Sequence, residues 1–165
     1  MKRGFALLCA LALLLTGCAA SPAAENAAAL PAGPWTARAR YSLQGLEGEL
    51  MLRWYGPESL SLEFLSPASV AGLREDCTSG AVTRSFGGIE THAALADLPA
   101  RHPLRALLSC FQSFAVSAPA AHVQPDGRTA CRLGGGAVLY FSRGAFTGAA
   151  LPADDFTLTV TALED

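Results

Sequence analysis

Three histidines and five cysteines carry most of the reactive capacity of this chain, so their spacing decides what chemistry is within reach. His92, His102 and His122 lie ten and twenty residues apart. No helix turn or strand face brings two of them together at such intervals. With a cysteine they could build a metal or Cys–His site only through long-range folding, and isolated loop or surface positions are the simpler expectation. No CxxC occurs, so neither a zinc ribbon nor a thioredoxin-type site is signalled. Asp76 beside Cys77 reads as a strand end, and Asp154-Asp155 behind Pro152 as turn chemistry. The run "LGGGAV" has no helix after it and cannot be a phosphate loop. No nucleophile elbow is present, and the one lysine, Lys2, sits in the first three residues. The expectation is a protein that is not an enzyme, with no catalytic residues, no metal and no cofactor.

One cysteine stands apart. Met1, Lys2 and Arg3 give a basic start, and an apolar run follows from Phe5 to Leu15. That run is too short for a membrane span, which needs about 20 residues, but it fits the core of an export signal. It ends in Leu15-Thr16-Gly17-Cys18, an aliphatic residue, two small residues and a thiol, which resembles a bacterial lipobox. The small residues let a peptidase approach the backbone, and the Cys18 thiol is the atom that takes diacylglycerol. Residues 1–17 therefore read as a signal peptide. Residues 18–34, "CAASPAAENAAALPAGP", read as the lipidated cysteine and an Ala/Pro-rich tether, and 35–165 as one domain.

Composition narrows the partners. The formal net charge of −2 becomes −4 once Lys2 and Arg3 leave with the signal. The eleven arginines are scattered, so the basic stripe that nucleic acid requires is absent. Charged residues make up 16% of the chain, below the roughly 25% of ordinary domains, which suggests more apolar surface than the size demands. Export places the remaining thiols where disulfides persist. A Cys77–Cys131 pair is one reading, and three buried free thiols, Cys110 included, are at least as well supported.

The elements that must position these groups are mostly strands. In "WTARARYSL" Trp35, Ala37, Ala39, Tyr41 and Leu43 alternate with polar residues, and "ELMLRWY", "LSLEFL" and "FTLTVTAL" repeat the period of two. Short turns separate them, so eight or nine strands in a meander are expected. "PLRALLSCFQSFA" breaks the rhythm. There Leu104, Leu107, Leu108, Phe111 and Phe114 share one helical arc, and Pro103 suits the first turn. The fold class is mainly β with one main helix (α+β).

A lipobox, a spacer, the stretch "EGELMLRWYGPESLSLEFLSP", a later "GIETHAALADLP" before the helix and a closing pair of strands around "FTGAALPADDFTLTV" together resemble the LolA/LolB-like lipoprotein-carrier superfamily over residues 35–163. The resemblance implies a strongly curved antiparallel sheet, an unclosed barrel, with the helix on its concave side. It also implies an apolar cavity for acyl chains. The residues placed to line it are Leu52, Trp54, Leu62, Phe64, Leu107, Phe111, Tyr140, Phe156 and Leu158. An apolar loop residue that touches membrane falls, by the same resemblance, at Val70 or Leu73.

The implied function is a membrane-anchored envelope lipoprotein that binds or transfers a lipid or the acyl chains of a lipoprotein. The partners are then the acylated ligand, the membrane through Cys18 and an envelope protein. The location is the extracytoplasmic face of a bacterial membrane, the plasma membrane of a single-membrane cell or the outer membrane otherwise. The alternative is a sensor or assembly module that binds a protein partner through the same fold. Cys18→Ala is expected to remove the covalent acyl mass, which denaturing mass spectrometry of the membrane-extracted protein reads directly. A wild-type chain that carries no acyl mass would contradict the lipobox.

Overall fold

The computed structural model describes residues 28–31, 33–117 and 119–164. Cys18, the signal peptide and most of the tether lie outside them. No described helix is long and apolar enough to cross a membrane.

Six strands come first: β1 Trp35–Leu43, β2 Leu46–Gly56, β3 Ser59–Phe64, β4 Arg74–Thr78, β5 Ala81–Phe86 and β6 Ile89–Ala94. Helix α1 follows at Pro103–Ser117, and then come β7 Ala121–Val123, β8 Thr129–Arg132, β9 Val138–Ser142, β10 Ala145–Leu151 and β11 Phe156–Glu164. Eleven strands form a single antiparallel sheet in the order β6-β5-β4-β3-β2-β1-β11-β10-β9-β8-β7. This is two meanders joined where the first strand pairs with the last, Tyr41 opposite Leu158 and Leu43 opposite Phe156. The free edges β6 and β7 are consecutive in the chain, and α1 is the connection between them.

Local chemistry explains the meanders. Gln44 and Gly45 both take positive φ, 51° and 81°, between the paired Leu43 and Leu46. Such a two-residue turn matches the right-handed twist of the strands it joins. The pairs Ser79-Gly80, Gly87-Gly88 and Arg143-Gly144 occupy the same place in three further hairpins.

Period-two alternation then sorts the faces. Ala37, Ala39 and Tyr41 of β1, Leu50, Leu52 and Trp54 of β2, and Leu60, Leu62 and Phe64 of β3 are buried. Between them Arg38 and Arg53 on the outer face pair with Glu49 and Glu63 at 2.6 and 2.8 Å. Exposed pairs of this kind contribute about 0–1 kcal/mol, so the stability resides on the inner face. There Val82 of β5, Leu139 of β9 and Phe156 of β11 belong to one cluster with Leu104, Leu107, Leu108, Phe111 and Phe114 of α1. Residues from both meanders thus meet the same helix on the concave side of an unclosed barrel.

Phe111 is at the centre of that cluster. It is fully buried and meets Trp54 and Phe146 edge-on, with ring centroids 5.2 and 5.3 Å away. Edge-to-face pairs add to what burial alone supplies. Phe111→Ala is expected to cost about 3–5 kcal/mol of stability, the range for a buried aromatic truncated to a methyl. Urea unfolding of the two chains measures it. A loss below about 1 kcal/mol would mean that the helix is not what holds the two meanders together.

Candidate functional site

The helix does not fill the concave side to both ends. Where α1 finishes, a cavity of ≈ 530 Å³ remains, walled by Trp54, Tyr55, Pro57, Phe114, Ala121 and Cys131 and by the N-terminal stretch 28–31. That volume lies within the range of small-molecule sites. Among the described residues, no charged one lines it.

Each wall is held by a separate device. Gln112 Nε2 donates to the Pro57 carbonyl at 2.7 Å, which ties the end of the helix to the β2–β3 turn. Phe114 stacks on Phe141 with centroids 5.0 Å apart. Ala28 and Leu30, which the sequence places in the tether, pack against the core and supply one side of the mouth. Such a site can take an apolar chain by excluding water. Its described lining offers no charge to recognise a headgroup.

The residues expected to line a cavity divide into three sets. Leu52, Leu62, Leu107, Phe111, Phe156 and Leu158 are buried in the packed centre between α1 and the sheet. Trp54 reaches the cavity, and Phe64 lines a smaller one at the other end of the helix. Tyr140 is a correction. It is only half-buried, with the Arg128 guanidinium 5.0 Å from its ring centroid, while its neighbours Leu139 and Phe141 point inward. The run Leu139-Tyr140-Phe141 is apolar throughout, so alternation leaves its phase open, and β9 settles with Tyr140 outward under a cation.

Val70 and Leu73 sit in the β3–β4 connection, half-buried against the core rather than projecting from it.

The Cys77–Cys131 pair is also corrected. Cys77, Cys110 and Cys131 are three buried free thiols. Cys77 on β4 and Cys131 on β8 have six strands between them in the sheet order. Burial pushes all three thiols up, Cys110 to about 11 with the Asp154 charge adding to the effect. They remain neutral and behave as small apolar side chains.

Sequence reasoning missed a buried ionic cluster. Glu75 is 2% exposed, and its Oε1 accepts from Arg84 Nε at 2.7 Å. His102 Nε2 is 3.3 Å from the same oxygen. The signal was available in β4: Glu75 shares its face with Cys77 and pairs across to Leu62, so an inward Cys77 requires an inward Glu75. His92 and His122, by contrast, are exposed on the edge strands. No group of three or more ligating side chains suited to a metal occurs among the described residues.

No protein-family model matches the chain, and no curated protein matches it. Similar solved structures include an uncharacterized conserved protein from Thermus thermophilus, at 17% identity and a TM-score of 0.45, with 80% of this chain and 78% of that one covered. Another is a LolA superfamily protein from Nitrosomonas europaea, at 10% identity and a TM-score of 0.42, with 86% of this chain and 89% of that one covered.

Native-state alkylation at pH 8 is expected to leave Cys77, Cys110 and Cys131 unlabelled, and denaturation without reductant to expose all three. Two cysteines that stay unlabelled after denaturation would reveal a disulfide. The raised Cys110 value also sets a sign. Between pH 9 and about 11 the unfolded chain loses that proton while the folded one keeps it, so stability falls as pH rises through this window.

Proposed function

We propose that the chain is a membrane-tethered envelope protein that binds the acyl chain of a lipid or lipoprotein in the cavity at the C-terminal end of α1. One observation carries the reading: no charged side chain among the described residues lines the ≈ 530 Å³ cavity, and in the sequence the stretch 28–31 follows the segment from Cys18. Burial of methylenes contributes ~0.8 kcal/mol each, so about ten of them reach ~8 kcal/mol, the scale of a micromolar Kd. The headgroup stays in water, which lets one cavity accept several acylated ligands. Lipidation at Cys18 anchors the domain on the extracytoplasmic face, and the chemistry is binding and transfer rather than catalysis.

The free edges favour a second reading, a module that captures a protein partner by strand addition. Every described residue of β7 is exposed, with Val123 at 76%, and Ile89 of β6 is 71% exposed. Unpaired edges of this kind are templates for an added strand.

Fluorescence titration with cis-parinaric acid separates the two. The wild-type chain is expected to bind it saturably. Ala121→Phe, at an exposed edge position that also lines the cavity, should weaken binding about tenfold, the loss of one or two buried methylenes' worth of contact. Equal affinity in the two chains, or no saturable binding, would overturn the acyl-binding site.

A further inference from the structure

The large apolar side chains that the described structure leaves exposed fall into two groups, and sheet register assigns each group to one end of the sheet. β1 begins at Trp35, opposite Trp54, so Tyr55 stands at the end where the chain arrives from Cys18. Leu163, opposite Ala37, is at the same end. The pairings of β11 with β10, of β10 with β9 and of β9 with β8 carry that end across the sheet to Thr129, and Val123 lies opposite Thr129. Val116 is in the last turn of α1, a helix end that Gln112 ties to the β2–β3 turn. All four are exposed. The second group, Leu46, Phe86 and Ile89, stands at the opposite end, beside the β1–β2 and β5–β6 turns.

Chain length decides which end can meet a bilayer. Ala28 comes ten residues after Cys18, a stretch that spans at most about 36 Å. From Trp35 the nine residues of β1 then lead about 30 Å away toward the other end. A lipid on Cys18 therefore holds the first group close to the headgroups and leaves the second a strand's length further off.

The surface chemistry suits that position. Val116 is 88% exposed, and the half-exposed Tyr55 also lines the mouth of the larger cavity. A ring with one apolar side and one wet side is at home at a membrane interface. The charges nearby are of both signs. Asp126 and Arg128 pair at 2.7 Å, and Arg143, Glu58 and Glu164 are exposed. There is no described basic cluster here to hold anionic lipid, so contact would come from apolar burial.

We propose that this end of the domain is a bilayer-docking surface. Val116 and Val123, flanked by Tyr55 and Leu163, enter the headgroup boundary of a zwitterionic leaflet, and the mouth of the ≈ 530 Å³ cavity then opens against lipid. An acyl chain can pass between leaflet and cavity without crossing water. The proposal rests on the tether at Cys18 and stands without the acyl ligand.

The test couples the chain that begins at Cys18, through that thiol, to maleimide-headgroup lipid in phosphatidylcholine nanodiscs. The tether is then present whatever lipidation a cell performs, and the other three cysteines are buried. A gadolinium-chelate lipid in the same disc broadens methyl resonances that lie near the headgroups. Val116, Val123 and Leu163 are expected to broaden several-fold more than Leu46 and Ile89, and added salt should leave the pattern unchanged. Val116→Glu combined with Val123→Glu, both at exposed positions, should lower the Leu163 broadening several-fold, whereas Ile89→Glu should not change it. Even broadening at both ends, stronger broadening at Ile89, or a double variant that matches the wild type would each overturn the proposal and leave this surface to a protein partner. Failure of parinaric acid to bind would leave the result unaffected, and the acyl mass on Cys18 is read separately by mass spectrometry.

Discussion

One inner face has to be kept from water by one helix. Eleven strands at about 4.8 Å spacing would lie about 48 Å across if flat. The 15-residue α1 is only about 22 Å long and roughly 10 Å wide. A flat sheet would leave most of its apolar side chains exposed. Curling the sheet until residues as far apart in its order as Val82 and Cys131 join the same cluster solves that mismatch. The β1–β11 pairing makes the curl continuous, because it welds two meanders into one surface. The route of α1 from edge β6 to edge β7 then draws the helix across the concavity.

The same mismatch explains where space is left over. The middle of α1 is packed by aromatic edges around Phe111, while at its two ends loops rather than sheet complete the wall. A cavity therefore opens at each end, and the two differ in chemistry. Near Phe114 the described wall is uncharged and includes the N-terminal stretch. Near Pro103 the wall holds Gln44, Arg101, His102 and Glu75, the partner of Arg84. A buried carboxylate retained beside an apolar helix start is costly. Arg84 donates both to it and to His102 Nε2, which keeps it in place and joins the helix start to β4 and β5.

Much of this was legible in the sequence because period two is a strong signal when one face is buried. The alternation in Trp35–Leu43 and in Phe156–Ala162 fixes the two strands that join the meanders, and the arc from Leu104 to Phe114 fixes the covering helix. Strands without clear alternation were harder. The three residues of β7 are all exposed, so they show no phase, and the sequence supports eight or nine strands where the structure has eleven. Tyr140 failed for the same reason, within an unbroken apolar run. Glu75 is a different case. Its charge argues for solvent, whereas alternation along β4 puts it on the same face as the buried Cys77. Pairing of Cys77 with Cys131 could not be read at all, because thiol distance depends on strand order across the whole sheet.

Mass spectrometry of the chain extracted from membranes, recorded under native and then denaturing conditions, tests the central claim most directly. Covalent lipid on Cys18 persists in both spectra, whereas lipid held in the cavity appears only in the native one. The account predicts discrete native adducts of acyl-lipid mass that vanish on denaturation. Identical native and denatured masses, unchanged after incubation with lipid, would contradict it and leave the cavity at the end of α1 without an acyl ligand.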